Sequence, residues 1–174
     1  MKMRTWKMKY KIVKKHNNSD MCVVCGLVNP FSIKVRFYES ETGEIIGVFK
    51  AGEHHQGFPG RMHGGIISTV LDEALGRTLN VKHPEEWSVT VELDVKFKKP
   101  VPLDTELKVV SRLEKENRKL FEATGEIYLP DGTVAATGWG KFFRGTPSEL
   151  EGREGELTGW RRVKDPEDPL EIEI

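Results

Sequence analysis

Met62-His63-Gly64-Gly65-Ile66-Ile67-Ser68-Thr69-Val70-Leu71-Asp72-Glu73-Ala74 is the stretch on which the reading of this chain turns. Ile66, Ile67, Val70, Leu71, Ala74 and Leu75 recur at the helical period and share one face. A helix is therefore predicted from Gly64 or Gly65 to about Asn80. The two glycines at its start let the backbone turn tightly and let another group come close. The first amides of a helix have no partner within it and carry partial positive charge. Such a site can polarise a carbonyl and hold the oxyanion that forms when the carbonyl is attacked. The plainer reading is a tight turn before a helix.

Asp72 lies outside the apolar arc, on the side shared by Ser68 and Gly76, which are four residues away in either direction. A carboxylate in a stripe of small residues leaves room for a ligand or a second helix. The plainer reading is a solvated position on an amphipathic helix. Glu73 stands four residues before Arg77, a common helix-surface ion pair, so it has a structural explanation that Asp72 lacks. Eight residues separate Gly64 from Asp72, or about 12 Å along the axis. The Asp72 side chain tilts back toward the helix start but recovers only part of that distance. One reacting carbon cannot easily touch both groups of one chain. If both act on one bond, a second subunit must supply one of them, and the protein must be at least a dimer.

Working outward, residues 51–62 form a loop with three glycines, Pro59 and the adjacent His54 and His55. Before it, residues 33–38 and 45–50 read as strands joined by the turn Glu41-Thr42-Gly43, a hairpin. After Pro84 the chain reads as strands. Val89, Val91, Leu93, Val95 and Phe97 alternate with polar residues, and Pro100 and Pro102 end the run. Further strands are predicted at 107–113, 120–129 and 134–143, the last two joined by Pro130-Asp131-Gly132-Thr133. A single helix must bury its stripe, and a sheet curled around it is the economical solution. The fold class is thus α+β, with one long helix wrapped by a curved antiparallel sheet.

The ends read differently. Residues 1–19 are a basic arm in which Lys7 to Ile12 alternates charged and apolar groups, either an edge strand guarded by lysine or a solvated tail. Residues 20–144 are taken as the domain. Residues 145–174 are a polar, extended tail with Trp160 as its docking point. Lysine plus arginine equals aspartate plus glutamate at 27 each, so no overall field favours nucleic acid as a partner. No stretch has the length and apolarity to cross a membrane, and the basic start lacks the apolar core of a secretion signal. Two cysteines fit a cytoplasmic protein better than a disulfide framework would.

The residues quoted above resemble the PaaI-type branch of the hotdog thioesterase superfamily. The resemblance rests on His63-Gly64-Gly65, a short apolar run, and Asp72 nine places after the histidine. It is strengthened by Gln56-Gly57-Phe58-Pro59-Gly60 ahead of that motif and by the long strand from Val89 to Phe97 with Pro100 beyond it. Cys22-Val23-Val24-Cys25-Gly26, with Asn29-Pro30, is similar to an N-terminal segment of some members. The resemblance covers roughly residues 20 to 144. It implies a hotdog fold, dimers whose sheets join edge to edge and which often pair into tetramers, and acyl-CoA bound at the dimer interface.

Carried over residue by residue, the resemblance implies that the amide of Gly64, with Gly65, polarises a thioester carbonyl. Asp72 of the partner chain would be base or nucleophile, and Thr90 would orient the attacking water. Some members have an asparagine six places before the histidine; here that place is Gly57, with Gln56 one earlier, so either the loop shifts by one or the role is absent. His63 either assists or bonds backbone, and Ser68 belongs to the ligand-facing stripe.

Asp72 is of a residue type ionised at neutral pH, able to deprotonate water or attack directly, and a thioester needs no metal or other cofactor. Cys22 and Cys25 form one Cys-x-x-Cys. Zinc would need two further ligands, with His16, His54 and His55 the nearest in sequence, and a redox role calls for a helix N-terminus that nothing here supplies. Lys96, Lys98, Lys99, Arg118 and Lys119 are either partners for CoA phosphates or solvated positions. No Walker loop or serine elbow appears. The leading expectation is an acyl-CoA thioesterase. Its rivals are a hotdog that binds or senses acyl-CoA without cleaving it, and an enoyl-CoA hydratase, whose branch would show an Asp and His pair a few residues apart, whereas here no histidine follows Asp72 until His83.

Overall fold

The computed structural model describes residues 8–151 and 159–174. In chain order its elements are β1 (Lys9–Lys15), β2 (Asn18–Ser19), β3 (Arg36–Ser40), β4 (Ile45–Lys50), α1 (Gly64–Gly76), β5 (Trp87–Phe97), β6 (Glu106–Glu116), β7 (Leu120–Tyr128), β8 (Val134–Gly145), α2 (Pro147–Glu151), β9 (Trp160–Arg161) and β10 (Glu171–Glu173). Eight strands form one antiparallel sheet in the order β10-β1-β3-β4-β6-β7-β8-β5. The two-residue strands β2 and β9 pair separately. This is the hotdog arrangement: α1 lies across the concave face of the long sheet. No helix among the described residues is long and apolar enough to cross a membrane.

The apolar stripe of α1 forms the core. Ile67, Val70, Leu71 and Ala74 pack with Phe37, Ile45, Phe49, Leu107, Val109, Ile127, Ala135 and Ala136. Leu75 and Leu79 pack with Phe121, Ala123 and Phe142. Each fully buried leucine contributes about 1.5–3 kcal/mol. The sheet is thinned where the helix presses on it: a Cβ at Gly140 would stand 2.6 Å from the Phe142 ring and 3.3 Å from Leu75. A buried hydroxyl ties the layers together, with Ser111 Oγ donating to the Ala74 carbonyl at 2.7 Å.

Several boundaries differ from the sequence expectation, for physical reasons. The expected strand over 33–38 begins only at Arg36, because Lys34 takes a left-handed φ of 58° and breaks the ladder. Ile33 and Val35 instead hydrogen-bond to Val23 and Val24, drawing the cysteine turn into the core. The helix predicted to about Asn80 is α-helical to Gly76 and then tightens into a 3₁₀ turn, Arg77–Val81, a common way for a helix to end.

The two ends of the chain meet. β1 lies between β3 and β10, and Lys9 pairs with Glu171 and Glu173 while Lys15 pairs with Asp168 at 2.6 Å. The part of the basic segment before Met8, including Lys7, lies outside the described residues. Trp160, on β9, packs against Trp87 with ring centroids 6.2 Å apart.

Candidate active site

Asp72 sits in the last two turns of α1, half-buried, on the wall of an open cavity of about 310 Å³. Facing it is β5, the terminal strand of the sheet. Thr90 Oγ1 donates to Asp72 Oδ1 at 2.7 Å. The register of β5 on β8 shifts between Thr90 and Glu92. Such a bulge re-aims side chains and is frequent beside active sites. Here it brings a hydroxyl from the sheet edge to the helix carboxylate. Gly76, one turn beyond Asp72, shares the cavity with Ser88 and Phe142. The Asp72–Gly76 end of the stripe of small residues therefore opens onto space, while Ser68 does not.

Burial raises the Asp72 carboxyl above the ordinary aspartate range. The Thr90 hydrogen bond opposes that rise, and the neighbouring Glu73 charge adds to it. A carboxylate that is partly desolvated and held by one hydroxyl has its other oxygen available to a water or a substrate carbon.

The remaining expected residues cluster at the opposite end of α1. His63 is the N-cap, at φ −65° and ψ 139°, and its Nδ1 accepts the Gly65 N–H at 2.9 Å. The Gly65 amide is thus occupied by His63. The Gly64 N–H has no acceptor among the described residues, so it is the donor the helix start presents outward. Gln56 Oε1 accepts the Gly60 N–H at 2.8 Å, and Gly57 packs against His63, so both shape the loop. Ser68 Oγ donates back to the Gly64 carbonyl at 3.0 Å. None of Gln56, Gly57, His63, Gly64, Gly65 or Ser68 lines the Asp72 cavity. One chain brings Asp72 and Thr90 together and keeps the diglycine away from them.

Sequence reasoning missed a buried charge cluster beside the same cavity. Arg77, expected in a surface pair with Glu73, is buried. It donates to Glu73 through Nε and Nη2 and to the Asn17 carbonyl through Nη1, and its guanidinium lies 4.4 Å from the Phe37 ring centroid and 5.2 Å from that of Trp160. The pairing holds as expected, but Arg77 points inward. Among the described residues, Cys22, Cys25 and Glu73 bring donor atoms within 4.8 Å of one another, a group that could hold a metal ion. The histidines considered from sequence lie elsewhere: His16 bonds Glu39, and His55 bonds Gly52 and Phe31. Lys96, Lys98, Lys99, Arg118 and Lys119 are all exposed.

Comparison with known proteins agrees with this architecture. The family model described as thioesterase superfamily matches residues 59–136, which include the diglycine, Asp72 and Thr90. The rat acyl-coenzyme A thioesterase THEM4 is 40% identical over 86 residues, covering 49% of this chain and 36% of the rat protein. The bovine THEM4 is 31% identical over 116 residues, covering 66% of this chain and 47% of its own length. The chain thus spans less than half the length of these relatives. Among solved structures, a Bacillus halodurans protein crystallised with CoA is similar, at 28% identity and a TM-score of 0.59, covering 66% of this chain and 76% of that one. A thioesterase superfamily protein at 26% identity gives a TM-score of 0.65, with 71% of this chain and 60% of the other covered. Fold, helix motif and matched segment agree: residues 59–136 of this chain match the thioesterase superfamily model, and the domain has the hotdog fold.

Proposed function

We propose that this protein hydrolyses acyl-CoA thioesters, with Asp72 as general base or nucleophile, Thr90 orienting the carboxylate and the attacking water, and the Gly64 amide of a second subunit polarising the carbonyl. The observation that carries the reading is the half-buried Asp72 on a cavity wall, held by the exposed Thr90 of β5 and set on the helix whose start presents an unoccupied amide. The relatives named as acyl-coenzyme A thioesterases and the neighbour crystallised with CoA supply the substrate class.

The chemistry needs no metal or other cofactor. Ionised Asp72 takes a proton from water or attacks the thioester carbon. The negative charge that develops on the carbonyl oxygen is met by the helix-start amide. The thiolate of CoA is a good leaving group. Gly65, its amide held by His63, fixes the backbone on which the Gly64 donor stands.

A homodimer is part of the proposal. β5 ends the sheet, and it exposes Val89, Val91 and Phe97. An apolar sheet edge of that length invites a partner strand. Joining two copies there places the partner beside Thr90 and Asp72, and further pairing gives a tetramer. A cytoplasmic setting belongs to the same reading, supported by two free cysteines.

The test is free-thiol release from a panel of short, long and aromatic acyl-CoAs, with Asp72→Asn run beside the wild type. Hydrolysis that Asp72→Asn abolishes supports the reading. Binding of acyl-CoA without cleavage would make the protein a carrier or sensor, and full activity in Asp72→Asn would remove the aspartate from the mechanism.

A further inference from the structure

The cysteine turn has no part in the proposed hydrolysis, yet it is built around its sulfur atoms. Cys22 Sγ accepts the N–H groups of Val24 and Cys25, at 3.2 and 3.3 Å. Cys25 Sγ accepts the Ser19 N–H at 3.4 Å and Arg77 Nη2 at 3.2 Å. Amides converging on one atom in a turn make a small anion-holding concavity. The turn therefore does for Cys22 what a helix N-terminus does for reactive thiols elsewhere. Cys22 is half-buried and lines the Asp72 cavity, whereas Cys25 is fully buried.

The same atoms offer two chemistries, and the geometry separates them. A soft divalent cation would use Cys22, Cys25 and Glu73. Glu73 Oε1, however, already takes both Nε and Nη2 of Arg77, at 3.0 and 2.7 Å, and the same Nη2 also meets Cys25. A fixed guanidinium thus occupies the charge position that a metal would need. It leaves the sulfurs adjacent, without competing for covalent chemistry between them.

We infer that Cys22 and Cys25 form a thiol–disulfide site, with Cys22 the attacking thiolate and Cys25 the resolving thiol, reached by low-molecular-weight disulfides through the cavity. In the first step Cys22 thiolate attacks a small disulfide RSSR, forming a Cys22–S–S–R bond and releasing RS⁻. In the second, Cys25 loses its proton and attacks Cys22 sulfur, forming the Cys22–Cys25 disulfide and releasing the second RS⁻. Two protein thiols are oxidised and one disulfide is reduced to two thiols. The direction of the titrations agrees with these roles. The hydrogen bond from Cys25 and the turn amides bring the Cys22 thiol down to about 7, while that bond and burial push Cys25 up.

The chain holds only these two cysteines, so thiol counting is unambiguous, and no acyl substrate is needed. Folded protein is incubated with oxidised glutathione and analysed by mass spectrometry. The wild type should lose both thiols as an intramolecular disulfide. Cys25→Ser should accumulate one glutathione adduct at Cys22, and Cys22→Ser should stay unmodified. At pH 7 iodoacetamide should label Cys22 at least about tenfold faster than Cys25. Three results would overturn the inference: no oxidation until the protein is denatured, faster labelling of Cys25, or one tightly bound zinc that shields both thiols in the purified protein.

Discussion

The two ends of helix α1 are built on opposite principles. At its start, exposed backbone does the work: His63 caps Gly65, and Gly64 holds an amide outward. Near its end, a side chain does the work: Asp72 is half-buried and held by Thr90 from the sheet edge. The start offers partial positive charge preformed by the helix itself. The end holds a full negative charge that burial makes costlier. Each half of the proposed chemistry is present in one chain, and the roughly 12 Å between them along the helix axis keeps the halves apart within that chain.

Removing the charge at the helix end should have the largest effect. Asp72→Asn is expected to lower kcat for thioester hydrolysis by about 10²–10⁴-fold. Its stability should hold or rise at pH 7. The folded Asp72 has a raised pKa, so its contribution to stability is fully present below the unfolded value and is lost as pH rises through the folded one. A thermal melt that drops sharply in Asp72→Asn would show that the carboxylate is structural.

Removing the donor at the helix start should cost somewhat less, about 10²–10³-fold in kcat. Gly64→Pro does this cleanly. Proline suits the first helical position, and His63 already has the extended conformation that a following proline demands. A Cβ at position 64 meets only the Phe97 ring, at 3.6 Å. Kinetics with unchanged kcat would take the amide out of the mechanism.

Thr90→Val should reduce kcat about tenfold. It should also move the acid limb of the pH–rate profile to higher pH, because the Thr90 bond lowers the Asp72 pKa and its loss lets burial dominate. An acid limb that stays in place would mean the hydroxyl does not touch the working carboxylate. The smallest effect belongs to His63→Ala, which deletes a cap worth about 1 kcal/mol. It should show chiefly as a melting temperature lower by about 2–4 °C.

These contrasts also mark what could be read from the sequence. The α1 stripe and the diglycine were legible because helical periodicity and a turn are local. Asp72 stood out because its neighbours at four residues are small. That Thr90 reaches it depends on a bulge in β5, which the alternation of that strand does not show. The cluster of Cys22, Cys25, Glu73 and Arg77 was hidden because about 50 residues of chain lie between its halves. Glu73–Arg77 looked like a surface pair because spacing on a helix cannot say which partner faces inward. The salt bridges from Lys9 and Lys15 to the acidic C-terminal residues were hidden for the same reason: each end read alone is a polar tail, and only together do they extend the sheet.

The central claim is that one site takes its donor from one chain and its carboxylate from another. Subunit complementation tests it most directly. Asp72→Asn and Gly64→Pro proteins, each nearly inactive, are mixed, allowed to exchange subunits and assayed. In a two-fold symmetric dimer the mixed species carries one fully intact site, so activity should return to about a quarter of the wild-type rate. If exchange is demonstrated and activity does not return, both groups act within a single chain and the account is wrong.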